Sequence, residues 1–441
     1  MGDREAPNSD QDDQNGLAEV ENGHITDSNS PAGESSSGDD DLGLVNISTG
    51  EYDMDLPTTH GYLGKLNPLS GYTLFEDGEV LHNIFALFTD TLVFPGFTLP
   101  LVMNDYFENR VFKNFIDEHN NVFVLLCAKS PDKGLIEYGV TMEIFETSLR
   151  NNMLHIKAKG RQRCERISSS NVENVAGRIR LVTVKILGDP PIKPPLENTQ
   201  LLALKSKRKW NLNSFDELKS CVKFRRYHAA QFRFANWVYD LNEVTYYTQI
   251  ILQALTNYGK DLIPNDPERL SYWFVQNYLL KPLERIRILS AKSTLERLKL
   301  EVNYLRLDRL ICCYNCRYEI TYPSKIFAMS KDGLQSNYVN PGGFVYEIIT
   351  VSCANNIRLA GDASRQFSWF PGYAWTVIEC INCNNHIGWQ FTSNNLTPKK
   401  FFGLAHTGIR IVSAAPALDK QDPTGHTTYA YDYYGLSDSF N

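Results

Sequence analysis

Two matched pairs of cysteines carry the most specific chemistry in this chain. Cys313-Tyr-Asn-Cys316 and Cys380-Ile-Asn-Cys383 are both CxxC, with 63 residues between the pairs. A CxxC on a tight turn can aim two thiolates at one ion. Two such knuckles complete a tetrahedral four-sulfur site that suits Zn²⁺ in geometry and softness. Four protein ligands leave no open position, so the expected cofactor is one structural zinc. A redox CxxC would stand alone beside a βαβ pattern, which is missing here. Cys312 is read as packing, and His386 as a core or surface histidine. The long spacing implies that the knuckles staple two hairpins of a larger β-domain.

Around the second knuckle lie Trp369, Trp375 and Trp389, three of the six tryptophans, within 21 residues. The string runs Phe367-Ser-Trp369-Phe370-Pro371-Gly372-Tyr373-Ala374-Trp375, then Trp389-Gln-Phe391. Indoles on neighbouring strands, folded together by a Pro-Gly turn, can box a flat ring or a quaternary cation. A cation would want a carboxylate, and Glu379 is the only one nearby. A neutral flat ligand held by backbone groups fits better. A plain core cluster of tryptophans beside the zinc stays open as the second reading.

These residues need elements to position them. Residues 72–187 read mostly as strands. Asn121–Leu126 looks fully buried, while Leu154–Lys159 and Ile179–Ile186 alternate apolar and polar positions as half-buried strands do. Residues 188–227 form a connector, opened by four prolines and carrying the basic runs Lys205–Lys209 and Lys223–Arg226. A solvated loop is the favoured reading of those runs, a nuclear-import signal the other. From 228 to 310 the period changes to about 3.6. Helices are expected over Phe234–Asn257 and Leu270–Leu280, with a third from Pro282 that carries Leu295, Leu298, Val302 and Leu305 on one face. Residues 311–413 return to short strands, with a strong turn at Asn340-Pro341-Gly342-Gly343.

Charge separates the tails from this body. The 441 residues carry a net charge of −7, but residues 1–55 hold fifteen acidic groups and one basic group. The remainder is mildly basic, too weakly and too diffusely to argue for nucleic acid. The acidic stretch has one aromatic, Tyr52, and is expected to stay disordered over 1–58, as is 416–441. No signal peptide and no 18-residue apolar run is read, so no membrane span is expected. Nine cysteines, an odd count, point to a reducing compartment.

The residues quoted above match a known family. FSWFPGYAWTV followed by CINCNNHIGWQF closely resembles the thalidomide-binding domain of the cereblon family. LPTTHGYLG, FPGFTLPL, AKGRQR, ICCYNC and YVNPGG stand in an order similar to that family's, so the resemblance covers about residues 56–413. It implies a multidomain α+β chain: a β-rich Lon N-terminal-like domain over 60–187, a connector and helical bundle over 188–307, and a zinc-stapled all-β domain over 308–415. By motif position Cys313, Cys316, Cys380 and Cys383 would hold zinc. Trp369, Trp375 and Trp389 would wall a pocket with Phe391 at its base. The backbone of Phe367 and Trp369 would pair with the imide of a glutarimide, and Asn340 and Tyr373 would stand at the mouth. The bundle would dock on the damaged-DNA-binding β-propeller adaptor of a cullin-RING ubiquitin ligase. Substrate proteins and glutarimide-type molecules are the other implied partners, and the implied location is cytoplasmic and nuclear. Two residues depart from the pattern. Phe367 and Gly342 stand where many members have His.

Catalysis is not expected. A Lon protease needs a P-loop and a Ser-Lys dyad, and no G-x-x-x-x-G-K-[ST] string occurs. Zinc-bearing methionine sulfoxide reductases also combine two CxxC pairs with an aromatic pocket. They need a reactive cysteine near the C-terminal strands, and none follows Cys383, which leaves only Cys353. The competing binding function is a stand-alone reader of methylated lysine.

Overall fold

The computed structural model describes residues 50–71, 73–118, 120–127, 137–167, 173–193 and 236–413. The basic runs of the connector, and most of both expected tails, lie outside these described residues.

Strands β1 (Gly50–Glu51), β2 (Asn67–Pro68), β3 (Val80–Thr89), β4 (Thr98–Met103), β5 (Val122–Cys127), β6 (Tyr138–Arg150), β7 (Met153–Arg166), β8 (Glu173–Ala176) and β9 (Ile179–Leu187) make up the first part. Apart from β1 they form one eight-stranded sheet, ordered β2-β6-β5-β3-β9-β7-β4 with β8 on β9. A further pairing of β6 with β7 curls the sheet on itself. The expected strands over Leu154–Lys159 and Ile179–Ile186 fall within β7 and β9, and that over Asn121–Leu126 is β5, shifted by one residue. Gly160 is needed at a close approach: a Cβ there would lie 2.6 Å from the Phe94 carbonyl oxygen, where the Pro95-Gly96 turn crosses β7. Helix α1 (Tyr106–Asp117) starts at Asp105, whose carboxylate accepts from the Phe107 and Glu108 N–H groups.

The helical stretch differs from expectation in detail. The first expected helix is two, α2 (Asn236–Asp240) and α3 (Val244–Ala254). Helix α4 (Pro267–Asn277) is capped by Asp266. The third is also two, α5 (Pro282–Ser290) and α6 (Thr294–Leu305), because Ser293 accepts from the Glu296 N–H and restarts the helix there. Among the described residues the helices are few and short, and they share their core with the sheets. Phe274 and Val302 belong to the same buried cluster as Leu99 and Val140 from the first sheet and Ile349 from the last part.

That last part comprises β10 (Arg309–Cys313), β11 (Glu319–Thr321), β12 (Gln335–Val339), β13 (Val345–Val351), β14 (Ile357–Ser364), β15 (Ala374–Cys380), β16 (His386–Thr392), β17 (Leu396–Thr397), β18 (Lys400–Ala405) and β19 (Ile409–Ser413). A six-stranded antiparallel sheet runs β12-β13-β18-β16-β15-β14, and a three-stranded sheet runs β11-β10-β19. The end of the acidic stretch is ordered, contrary to expectation. Strand β1 pairs with β17, and Tyr52 is buried edge-on against Tyr373 at 5.2 Å. The stretch's one aromatic supplies the apolar surface that the rest of it lacks.

Buried polar groups join the parts. Arg285 of α5 pairs with Glu347 of β13 at 2.7 Å and donates to the Leu92 carbonyl at 3.2 Å. Asn277, at the end of α4, accepts from the Leu334 and Gln335 N–H groups. Burial alone would raise the Glu347 carboxyl, but Arg285 and His406 outweigh it and hold the group below the usual carboxylate range. Truncating Glu347 to Ala strands a buried guanidinium. The expected loss is about 3–5 kcal/mol in urea denaturation at neutral pH. A folded-state pKa below the unfolded one contributes stability that is present above the unfolded value. The gap between wild type and Glu347→Ala should therefore close as the pH falls through that lowered value.

Candidate functional site: a four-thiol knuckle pair and an indole-walled cavity

The two knuckles are built alike. In the first, the Cys313 N–H donates to Tyr318 O at 2.8 Å and the Arg317 N–H to Cys313 O at 3.1 Å. In the second, the Cys380 N–H donates to Asn385 O at 2.9 Å and the Asn384 N–H to Cys380 O, also at 2.9 Å. Arg317 and Asn384 both take the left-handed conformation, with φ of 60° and 58°. The same local geometry thus turns each chain around one sulfur pair. It brings the Cys313 and Cys383 Sγ atoms to 3.6 Å and the Cys316 and Cys380 Sγ atoms to 3.5 Å, and all four lie within 4.8 Å of one another.

A tetrahedron of sulfurs about 2.3 Å from a central zinc has edges of about 3.8 Å, so the spacing fits the ion. The donor set fits as well, and the cluster holds one structural zinc. The four thiols do not shift alike. The Asn382 side chain, hydrogen-bonded to Cys316, lowers that thiol to about 6. Burial pushes Cys313 up to about 12 and also raises Cys380, so binding a cation is what holds those two as thiolates. Cys312 is buried away from the four, and His386 is no part of the cluster; its ring packs 4.7 Å from Trp389.

The second knuckle is also the turn of the β15–β16 hairpin, and that hairpin carries the aromatic walls. Trp375 pairs with Phe391 across the ladder, and Val377 with Trp389. These residues, with Trp369, Phe367, Asn340 and Pro341, enclose a cavity of about 330 Å³. Trp369 and Trp389 meet nearly at right angles, 4.7 Å apart. Tyr338 backs Trp369 in a stack at 5.3 Å. Two of the three indole N–H groups are spent on the frame: Trp369 donates to Val339 O at 3.2 Å and Trp375 to Gln366 O at 2.8 Å. The walls are thereby fixed, and their faces are left for whatever enters. No lining residue carries a formal charge. Glu379, the nearby carboxylate, is engaged by Arg358 at 2.7 Å.

Most of the expected pocket residues come together, with one correction. Tyr373, expected at the mouth, is fully buried, and its hydroxyl donates to Pro398 O at 2.7 Å. The Pro371-Gly372 turn directs it into the core with Phe370 and Phe401. Phe391 lines the cavity and is buried. Phe367 is half exposed at the mouth, with φ of 54°. Pro341 and Val377 also line the cavity and were not anticipated. Val377 stands two residues after Trp375 on the same strand, so alternation alone points to it. The Asn340–Gly343 turn is pinned from the first sheet, because Asn104 Nδ2 donates to Pro341 O at 3.1 Å. Gly343, with φ of +77°, lets the turn close; a Cβ there would lie 2.7 Å from Val102 O. Cys353 is exposed and not on the lining.

The sequence relatives agree with this architecture. Residues 83–306 match the family model described as the ATP-dependent protease La (LON) substrate-binding domain. Residues 309–423 match the one described as Yippee zinc-binding/DNA-binding/Mis18, centromere assembly. Protein cereblon of Danio rerio is 30% identical over 381 residues, covering 81% of this chain and 87% of that protein. The chain belongs to the cereblon family. Protein cereblon of Gallus gallus is 29% identical over 403 residues, with 85% and 87% covered. That of Drosophila grimshawi is 31% identical over 387 residues, with 82% of this chain and 54% of the fly protein covered. A substrate-recognition role follows at the level of the family. Among the described residues, no helix is long and apolar enough to cross a membrane.

The zinc assignment has a direct check. Atomic emission should find one zinc per chain, and Cys383→Ala should lose it. Zinc binding is worth about 10–16 kcal/mol in small zinc peptides, so the variant should also lose its cooperative near-UV transition at lower temperature. A fully zinc-loaded Cys383→Ala would contradict the assignment.

Proposed function

We propose that this protein is the substrate-recognition subunit of a cullin-RING ubiquitin ligase. On this reading it binds cyclic-imide groups, such as a glutarimide or a degron that ends in one, and presents the attached protein for ubiquitination and proteasomal degradation. The observation that carries the reading is the uncharged, three-indole cavity. A cyclic imide is a small flat ring with one N–H between two carbonyls. Indole faces cover such a ring and exclude water, and the turn backbone at Phe367 and Trp369, between β14 and β15, offers partners for the imide edge. In that dry setting an unmade hydrogen bond costs about 1–3 kcal/mol, so a ring lacking the pattern is rejected.

The chain's own departures bear on the rim rather than the walls. The role proposed for Phe367 uses its backbone, so imide binding tolerates the missing His. Gly342 takes a side chain off the turn beside the mouth and alters the surface a bound ligand would share with a substrate. Docking to a β-propeller adaptor is assigned to the stretch 188–307, and work in the cytoplasm and nucleus goes with that assignment. The chain has no catalytic task in this scheme.

Two other readings lose support. A methyl-lysine reader needs a free carboxylate at its cage, and Glu379 is tied to Arg358. A methionine sulfoxide reductase needs a thiolate at the pocket, and Cys353 is off the lining. Titrating glutarimide should quench the tryptophan fluorescence saturably, and Trp375→Ala should weaken binding at least about tenfold. Quenching by trimethyl-lysine peptide, with none by glutarimide, would overturn the reading. The adaptor and a cullin should co-purify with the full chain and be lost on deleting 188–307.

A further inference from the structure

The mouth of the indole-walled cavity carries two phenyl rings that packing does not account for. Phe367 is 47% exposed and Phe344 68%, and among the described residues neither joins a buried cluster. Phe367 lines the cavity and holds φ of 54°. A bulky residue in the left-handed region is strained, and it persists only where its surroundings fix it. Here they do. Trp375 Nε1 donates to Gln366 O at 2.8 Å, and the Ser368 N–H donates to Arg365 O at 3.3 Å. The strained turn thus holds an apolar ring half in water, at the entrance to an apolar site.

Phe344 faces the same entrance. The hairpin of β12 and β13 sets Tyr338 opposite Tyr346. Asn340 continues that ladder opposite Phe344, whose carbonyl accepts from the Asn340 N–H at 3.1 Å. Cross-strand partners share a face, and so do residues two apart on one strand. Tyr346 meets Trp369 at 5.9 Å and Trp389 at 5.0 Å, and Asn340 lines the cavity. Phe344 therefore stands on the cavity's side of the hairpin. Its N–H donates to Asn340 Oδ1 at 2.9 Å, which fixes its backbone. Gly342 leaves its ring bare, since a Cβ there would lie 3.5 Å from Phe344 Cδ2. With Pro341, the two rings give the entrance apolar sides, and no lining residue carries a formal charge.

A cyclic imide that ends a protein chain is joined to it through one ring carbon. With the ring boxed by the indoles, the preceding residue, about 3.8 Å away between Cα atoms, leaves through the mouth. We propose that Phe367 and Phe344 form a subsite for that preceding residue and select chain ends in which it is aromatic or a large aliphatic. The inference rests on the imide reading of the cavity and adds to it which chain ends are taken. An apolar side chain laid on the two rings leaves water. A Lys or Glu there would lose hydration with no opposite charge on the lining to meet it. The indole box recognises the ring that all such ends share, and the rim sorts them.

The probes are fluorescein-labelled Gly-Gly-X peptides closed by a C-terminal α-aminoglutarimide, with X as Phe, Leu, Ala, Lys or Glu, read by anisotropy against the full chain. The Phe and Leu probes should bind about tenfold more tightly than the Ala probe, and the Lys and Glu probes no more tightly than Ala. Phe344→Ala should bring the Phe-to-Ala ratio within about twofold of unity. Free glutarimide, which lacks the preceding residue, should compete as it does with wild type, and zinc content should not change. Phe367→Gly removes the other ring and relieves the left-handed strain, and the same ratio, read within that variant, should fall likewise. If glutarimide binds while the Phe and Ala probes are held equally, the subsite is overturned and the imide reading stands. Tighter binding of the Lys or Glu probe, or a full Phe preference in both folded variants, would also overturn the subsite alone. If neither glutarimide nor any probe binds, the imide reading falls and takes the subsite with it.

Discussion

Four thiols drawn to one point set the geometry on which the rest of the last domain depends. The Cys313–Cys316 turn lies between β10 and β11, and the Cys380–Cys383 turn joins β15 to β16. These hairpins belong to different sheets. A zinc ion bridging the sulfur pairs fixes one sheet against the other. In β15 and β16 the chain then runs directly from metal ligand to aromatic wall, four residues separating Trp375 from Cys380. Wall and clamp are two ends of one hairpin.

The clamp alone does not finish the cavity. Its mouth is the Asn340–Gly343 turn, held to the first sheet through Asn104. The interface behind it includes the Arg285–Glu347 pair and the Asn277 amide. These are buried and hydrogen-bonded, so they fix one arrangement of the parts more than they add net stability. One hydrophobic cluster then runs through the first sheet, the helices and the zinc sheet. The molecule is organised so that the pocket's walls come from one part and the support of its rim from another.

Much of this was legible in the sequence because the relevant signals are local. CxxC on a turn is read from spacing, and the hairpin it points to is present, with a loop longer than the knuckle itself that sets Trp375 opposite Phe391. The helix start at Pro282 follows from its fixed φ, whereas the helix expected over Leu270–Leu280 begins earlier, at Pro267, behind the Asp266 cap. What failed was set at long range. Tyr373 looks like one more rim aromatic until the turn at Pro371-Gly372 and the acceptor at Pro398 decide its direction. Tyr52 stands in an acidic stretch that reads as disordered, and only the docking surface at Tyr373 and Phe370 gives it a place. The break at Ser293 is a weak cap inside a good helical period, so periodicity overrode it. Periodicity shows an apolar face without showing what covers it, and the described helices of the expected bundle bury theirs in a cluster shared with both sheets.

The central claim is that the clamp and the aromatic cavity are one cooperative unit. The most direct measurement is glutarimide binding by calorimetry on protein stripped of zinc in steps, with zinc content measured on each sample. The number of binding-competent sites should fall one for one with zinc, with the affinity of the remaining sites unchanged. Full glutarimide binding by protein without zinc would contradict it.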